Sequence, residues 1–269
     1  MNNSFEWRAA PKAQYGVVGD PVAHSLSPAM HNAAFLALGM VERYEAVRVP
    51  EQEFAEALAH LASLGYRGLN VTVPLKKAAY KWSETMPKAE RRMGVVNTLR
   101  LDSKEAINTD APGFIDTLVE IGRSEPCDVL LLGAGATTRA LAVALDEAGF
   151  RLHCWNRTRA NLERLMHELG IEPKVHDEPD PKDCPLILNT TSASMQGEHL
   201  PVKWHNAMRT AVAYDVYYTN GLTTFLTDAF AHGLETVDGR RLLVAQGARS
   251  FEWWTGKSPP LQAMMKAVT

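Results

Sequence analysis

The stretch Cys127-Asp128-Val129-Leu130-Leu131-Leu132-Gly133-Ala134-Gly135-Ala136-Thr137-Thr138 decides the fold class. Its apolar run is short and is stopped by glycine, the pattern of a strand buried on both faces of a parallel sheet. A helical stretch, Arg139 to Ala148, follows the glycines, and a further strand, Arg151 to Trp155, follows the helix. A lone Gly-x-Gly carries little information. Set between a buried strand and a helix, with another strand beyond, it reads as a dinucleotide-binding fingerprint. Gly133 and Gly135 permit the tight turn and the close approach of a pyrophosphate to the backbone. Thr138 takes the third small-residue position, where slightly looser helix packing is expected.

Reading toward the C-terminus, the second strand of this unit ends in Asn156-Arg157-Thr158-Arg159. An acidic residue at that place accepts hydrogen bonds from ribose hydroxyls and favours NAD. No acid is present here, whereas Arg157 pairs well with a 2′-phosphate, so the cofactor expected is NADP. Strands are then expected at Leu186 to Leu188, ending in the polar turn Asn189-Thr190-Thr191-Ser192, and at Ala211 to Val216, ending in Tyr217-Tyr218. Residues 239–269 contain Leu242 to Ala248, with Gln246 among them, and Phe251, Trp253 and Trp254. These C-terminal helices follow the cofactor unit and are expected to return to the first domain. Gln246 then approaches its site, while the two tryptophans serve packing.

Reading toward the N-terminus, residues 14–19 form a first strand ending in glycine, followed by the loop His24-Ser25-Leu26-Ser27-Pro28. Ser27 before Pro28 reads as a hydroxyl N-cap for a helix that Gly39 stops. Ser25 has no such local role, and two hydroxyls at a strand-to-helix turn can together hold a carboxylate or polyol. A strand over Tyr44 to Val49 and an amphipathic helix over Glu51 to Leu64 precede Gly68-Leu69-Asn70-Val71-Thr72-Val73-Pro74-Leu75-Lys76-Lys77. There a period of two marks a strand that Pro74 must end, and a helix from Lys76 to Trp82 follows. Gly94 to Leu99 reads as another strand, Ile107 to Asp110 as the end of one more, and Pro112 as the start of a linking helix. Ser25, Lys76, Asn97 and Asp110 thus fall at strand ends of one α/β unit, where such ends face a single crevice. Hydroxyls, an amide, a carboxylate and a lysine suit a small hydroxylated acid, with Lys76 able to give or take a proton at a substrate oxygen.

Composition bounds the rest. The chain has 269 residues, with room for two domains, and a formal net charge of -3, which argues against nucleic acid or a polybasic membrane contact. Cys127, Cys154 and Cys184 are widely spaced, as in a reduced cytoplasmic protein. Met1 to Lys12 lacks an apolar signal core, no run approaches membrane-span length, and the histidines show no metal-ligand spacing. The expectation is a cytoplasmic α/β enzyme without metal, acting on a small molecule.

The assembled motifs resemble those of the shikimate dehydrogenases over nearly the whole chain: Ser25-Leu26-Ser27-Pro28, Asn70-Val71-Thr72-Val73-Pro74 with Lys76, Val96-Asn97-Thr98, Asn108-Thr109-Asp110, Gly133-Ala134-Gly135, Asn156-Arg157-Thr158 and Val244-Ala245-Gln246. The resemblance implies reversible NADPH-dependent reduction of 3-dehydroshikimate to shikimate on the chorismate route to aromatic amino acids. It implies an N-terminal α/β substrate domain (1–111 and 239–269) and a Rossmann-type NADP-binding domain (112–238), in a monomer or homodimer. Position by position, it makes Lys76 and Asp110 the catalytic pair. Ser25, Ser27, Thr72, Asn97, Tyr218 and Gln246 become substrate contacts. Gly133, Ala134, Gly135, Ala136, Thr137, Asn156, Arg157, Thr158, Val216 and Gly239 become cofactor contacts. Two alternatives remain: a quinate/shikimate dehydrogenase with relaxed cofactor use, and a non-catalytic NADP-binding regulator.

Overall fold

The computed structural model describes residues 4–269; residues 1–3, at the start of the segment read as lacking an apolar core, lie outside the described residues. The chain divides into two units, one of residues up to Gly113 together with Leu243–Thr269, the other Phe114–Leu242.

The first unit contains β1 (Phe5–Glu6), β2 (Tyr15–Gly19), α1 (Ser27–Ala37), β3 (Tyr44–Arg48), α2 (Phe54–Ser63), β4 (Gly68–Val71), α3 (Lys76–Trp82), α4 (Lys88–Met93), β5 (Thr98–Arg100) and β6 (Ala106–Ile107). Its sheet runs β1-β3-β2-β4-β5-β6, parallel through β4 and antiparallel across β5 and β6. Strand alternation sorts neighbouring residues to opposite faces. Val17 and Ala46 pack with Met30 and Phe35 of α1, while Val18 and Val47 pack with Leu58 and Leu61 of α2.

Helix α5 (Asp110–Glu120) carries the chain into the second unit, which contains β7 (Asp128–Leu132), α6 (Ala136–Glu147), β8 (Arg151–Trp155), α7 (Arg159–Leu169), β9 (Lys174–Val175), β10 (Leu186–Asn189), β11 (Val212–Asp215), α8 (Thr224–Ala231) and β12 (Glu235–Val237). This sheet is wholly parallel, in the order β12-β11-β10-β7-β8-β9. Counted from β7, that is the doubly wound arrangement of dinucleotide-binding folds, with its reversal of strand order between β7 and β10. Helix α9 (Arg240–Thr255) then leads back, and α10 (Leu261–Lys266) ends the chain. Val244, Ala248 and Phe251 of α9 and Met264 of α10 join Met30, Phe35 and Tyr44 in one apolar cluster of the first unit. Trp254 stacks on Tyr15 with ring centroids 5.0 Å apart and donates Nε1–H to the Leu99 carbonyl at 3.0 Å. Its indole lies 2.5 Å from where a Cβ on Gly68 would stand, so that site admits no side chain.

Local readings differ from the structure at several ends. The segment expected as a strand over 94–99 pairs only from Thr98, because Gly94, at φ +66°, terminates α4 in the left-handed conformation. Helix α5 begins at Asp110, not Pro112; Asn108 Oδ1 accepts the Ala111 N–H at 3.1 Å and Pro112 sits in the first turn, where its missing N–H costs nothing. Helix α6 begins at Ala136, three residues before the expected Arg139, with the Gly135 N–H bonded to Thr138 Oγ1 at 3.0 Å.

Several buried side chains carry a polar atom without a hydrogen-bond partner, and in His31 both ring nitrogens do. His31 of α1 is fully buried, stacked on Tyr44 at a centroid distance of 4.3 Å, and neither ring nitrogen meets a partner at hydrogen-bonding geometry. Burial pushes the imidazole down from 6.5 to about 3, partly opposed by the Asn70 side chain. The folded protein therefore refuses a proton that the unfolded chain takes up below pH 6.5. Stability should fall as pH drops from 6.5 toward 3, His31 contributing up to about 1.4 kcal/mol per pH unit. Urea unfolding at several pH values checks this: His31→Phe, which keeps a ring on Tyr44, should flatten the dependence, and an unchanged slope would assign it to other groups.

Candidate active site

The chemistry of the first unit gathers where β4 gives way to α3. Pro74 cannot extend a ladder, so the chain turns and α3 starts at Lys76. Lys76 is 6% exposed and its neighbour Lys77 is exposed, so only one of the pair points inward. The buried ammonium is answered by Asp110, 7% exposed, with Nζ donating to Oδ2 at 2.6 Å. Charges out of water need such pairing, because either alone carries its full desolvation penalty. Asn97 donates from Nδ2 to the other oxygen, Asp110 Oδ1, at 2.9 Å, and to Thr109 Oγ1 at 3.0 Å. Gln246 Oε1 lies 3.4 Å from the same amide nitrogen, and Gln246 Nε2 donates to the Leu243 carbonyl at 2.8 Å. A Cβ on Gly113 would come within 2.9 Å of the Gln246 backbone nitrogen, so glycine lets the start of α5 lie against α9. Lys76, Asn97, Asp110 and Gln246 therefore form one buried cluster, with the carboxylate bonded on both oxygens.

Ser25 and Thr72 lie on two neighbouring loops of the same unit, joined where the Asp20 N–H donates to the Val73 carbonyl at 3.1 Å, and Ser27 opens α1 beside them. The capping role expected of Ser27 falls to Ser25. Ser27 is already helical, and its N–H donates to Ser25 Oγ at 3.2 Å. A hydroxyl two residues ahead reaches back over the first turn, which Ser27's own side chain, inside the helix, cannot do. Ser27 is 5% exposed; Ser25 and Thr72 are half-buried.

In the second unit Gly133 has φ +126°, and a Cβ there would lie 2.6 Å from Thr190 Oγ1 and 2.9 Å from Thr138 Oγ1. Nothing stands within 4 Å of a Cβ on Gly135, so the loop is closed on one side and open on the other. Thr138 does not loosen the packing: it is fully buried and its hydroxyl bonds that of Thr190 at 2.7 Å. Ala134, Ala136 and Thr137 surround the open side at the start of the twelve-residue helix α6, whose first N–H groups favour an anion. The polar turn after β10 is spent internally. Asn189 Nδ2 donates to Asp215 Oδ1 at 3.2 Å, and its Oδ1 accepts from the Thr191 N–H at 3.0 Å and hydroxyl at 2.7 Å. Asp215 also accepts from Ser194 Oγ at 2.5 Å, Thr223 Oγ1 at 2.7 Å and the Tyr217 N–H at 3.0 Å. Burial pushes its carboxyl up, and these bonds oppose the shift.

After β8, Asn156 Nδ2 donates to the Thr158 carbonyl at 2.9 Å and Thr158 precedes α7. The Arg157 side chain is 85% exposed, 3.8 Å from Glu198, a surface pair worth little. Arg159, by contrast, is held by Glu163 at 2.7 Å and Asp177 at 2.5 Å. These residues fit a phosphorylated dinucleotide: a side-chain-free cradle, a helix start and a cation beyond the second strand. Val216 and Gly239 touch each other, the Val216 carbonyl filling the space a Cβ on Gly239 would need. Tyr218 belongs to this unit, its ring 5.9 Å from that of Tyr217. Among the described residues no group of three or more His, Cys, Asp and Glu is arranged to hold a metal ion.

Sequence reading left out a set of buried polar residues beside Asn97: Asn70 as a side chain in its own right, Thr98 and Ser250. The available signal was a polar residue on a buried strand face and a serine one helical turn after Gln246.

Comparison with known proteins places the chain. The family model described as the shikimate dehydrogenase substrate binding domain matches residues 17–99, and that of the shikimate 5'-dehydrogenase C-terminal domain matches residues 239–269. The shikimate dehydrogenase (NADP(+)) of Natronomonas pharaonis is 35% identical over 94% of this chain and 97% of that one. That of Methanocella arvoryzae is 37% identical over the same shares. Among solved structures, shikimate 5-dehydrogenase from Thermus thermophilus, in complex with NADP(H) and shikimate, superimposes with a TM-score of 0.87. It is 35% identical, covering 95% of this chain and 98% of the other. Two units of matching topology, near-complete coverage and identities above a third leave one assignment: the chain belongs to the shikimate dehydrogenase family.

Proposed function

We propose that this protein reduces 3-dehydroshikimate to shikimate with NADPH, reversibly, and that proton transfer is the task of Lys76 and Asp110. The observation that carries the reading is the buried 2.6 Å contact between Lys76 Nζ and Asp110 Oδ2. NADPH, when bound, supplies the hydride to the ketone carbon. Gly133, Ala134, Gly135, Ala136 and Thr137 would hold its pyrophosphate, Asn156, Arg157 and Thr158 its 2′-phosphate side, and Val216 and Gly239 the remainder. Lys76 Nζ presents an N–H to the ketone oxygen and delivers the proton that makes it a hydroxyl; in the reverse direction the pair takes that proton back. Asp110 orients the ammonium through Oδ2 and is itself held by the Asn97 amide on Oδ1. Ser25, Ser27 and Thr72 are assigned to the substrate carboxylate, and Asn97, Gln246 and Tyr218 to its hydroxyls.

A cytoplasmic location suits the three free cysteines, and no helix among the described residues is long and apolar enough to cross a membrane.

Cofactor absorbance during incubation with shikimate and either NADP or NAD, then with quinate, tests the activity. Turnover with shikimate and NADP is expected; comparable rates with quinate or NAD would move the protein to the broader quinate/shikimate type. Lys76→Ala should lower kcat by about 10²–10⁴-fold with a smaller change in KM. A kcat within a few-fold of the parent would remove Lys76 from the chemistry. Arg157→Ala should weaken NADPH by about tenfold or more while barely affecting NADH, and equal losses for both would refute the 2′-phosphate assignment.

A further inference from the structure

Behind the Lys76–Asp110 pair lies a second tier of buried polar side chains: Asn70 on β4, Thr98 on β5, Thr109 before α5 and Ser250 on α9. Two backbone groups fix the direction in which these hydrogen bonds run. Asn70 Nδ2 faces the Asn97 carbonyl at 3.3 Å, so the Asn70 NH2 must point there, and its Oδ1 accepts from the Tyr44 hydroxyl at 2.7 Å. The Thr109 N–H meets Asn97 Oδ1 at 2.8 Å, so the Asn97 side-chain carbonyl must face Thr109 and its NH2 must face Asp110. Between those ends the two Asn70 Nδ2 hydrogens are shared among the Asn97 carbonyl, Ser250 Oγ at 2.9 Å and Thr98 Oγ1 at 3.1 Å. Both hydroxyls accept there and keep their own hydrogens for partners that can only accept. For Thr98 that partner is Asn97 Oδ1 at 3.1 Å, and for Ser250 it is the Gln246 carbonyl at 3.0 Å. Ser250 Oγ also lies 2.9 Å from Thr98 Oγ1, so the two branches are in contact.

Well-matched apolar side chains would fill the same core at little cost, because replacing both partners of a buried hydrogen bond can be nearly neutral. What the polar set does that apolar residues cannot is aim the Asn97 amide and hold the helical turn that carries Gln246. We propose that Asn70, Thr98 and Ser250 are positioning residues for the reaction: they hold Asn97 with its NH2 on Asp110 and hold Gln246 in register beside it. This rests on the assignment of Lys76 and Asp110 as the proton-transfer pair. The branch through Thr98 sets the angle of the Asn97 amide, and that amide is the side-chain donor on the carboxylate oxygen that Lys76 leaves. The branch through Ser250 ties the turn of α9 bearing Gln246 to the Asn70 amide on β4.

Thr98→Val removes the hydroxyl and keeps the shape, and Thr98→Ser restores the hydroxyl. Steady-state kinetics on both, with shikimate and NADP, should give a kcat about tenfold lower for Thr98→Val, a KM for NADP within about twofold of the parent, and recovery to within about threefold for Thr98→Ser. Ser250→Ala should fall in the same direction, and it serves if the Thr98→Val enzyme does not fold. A Thr98→Val or Ser250→Ala enzyme with parental kcat would overturn the proposal, as would a Thr98→Ser enzyme no better than Thr98→Val. Lys76→Ala measured alongside separates the two readings. Its inactivity together with a fully active Thr98→Val enzyme overturns the positioning role alone; full turnover by Lys76→Ala overturns the proton-transfer assignment and this inference with it.

Discussion

An ammonium taken out of water must be met by a negative charge, and in the first unit Asp110 meets Lys76 at 2.6 Å. That requirement reaches further than the two residues. Lys76 is inward because β4 ends at Val71 and the turn through Pro74, where the Leu75 N–H donates to the Thr72 carbonyl, delivers the chain into α3 at that point. Asp110 is at hand because α5 starts there, on the far side of the antiparallel hairpin formed by β5 and β6. The Asn97 amide on the second carboxylate oxygen, and the hydroxyls behind it, complete an enclosure in which no member can be removed without stranding another.

The second unit answers a different constraint, the approach of a phosphate to the backbone. Gly133 adopts φ +126° with the paired Thr138 and Thr190 hydroxyls filling the place of its missing Cβ, while Gly135 faces open space. The threonines at 138 and 190 stiffen the turn by bonding each other, the Gly135 N–H and the Leu132 carbonyl. Asp215 does the same job one strand further along, gathering Asn189, Ser194, Thr223 and the Tyr217 N–H around one buried carboxylate. Asn189, Thr190 and Thr191 therefore shape the turn after β10 through their own bonds.

Much of this could be read from the chain alone, and the reason is local. The run from Val129 to Leu132 and its following glycines, the alternation over 69–73 and the proline after it are short-range signals of strand, turn and helix start. The family resemblance rested on the same segments, and the relatives bear it out. Illegible parts depended on long-range partners or lacked periodicity. Lys88 to Met93 is mostly charged, so α4 left no apolar stripe; β1 and β9 are two residues each, too short to alternate. Ser250 and Thr98 are 152 positions apart, and no spacing rule connects them. The helix starts at Asp110 and Ala136 were misplaced because neighbouring hydroxyl and amide side chains, invisible in a propensity argument, satisfy the first N–H groups.

The return of α9 and α10 to the first sheet sets an order on the ribosome. The face carrying Met30, Phe35 and Tyr44 is covered by Val244, Phe251 and Met264, which are translated after the whole of the second unit. Until they emerge, a nascent chain holds a finished second unit, residues 114–242, and a first sheet with one apolar face bare. That uncovered face is what a chaperone would grip and what a premature stop codon would leave exposed. Gln246 travels on the same helix, so the polar cluster around Asn97 closes only after the second unit has been made.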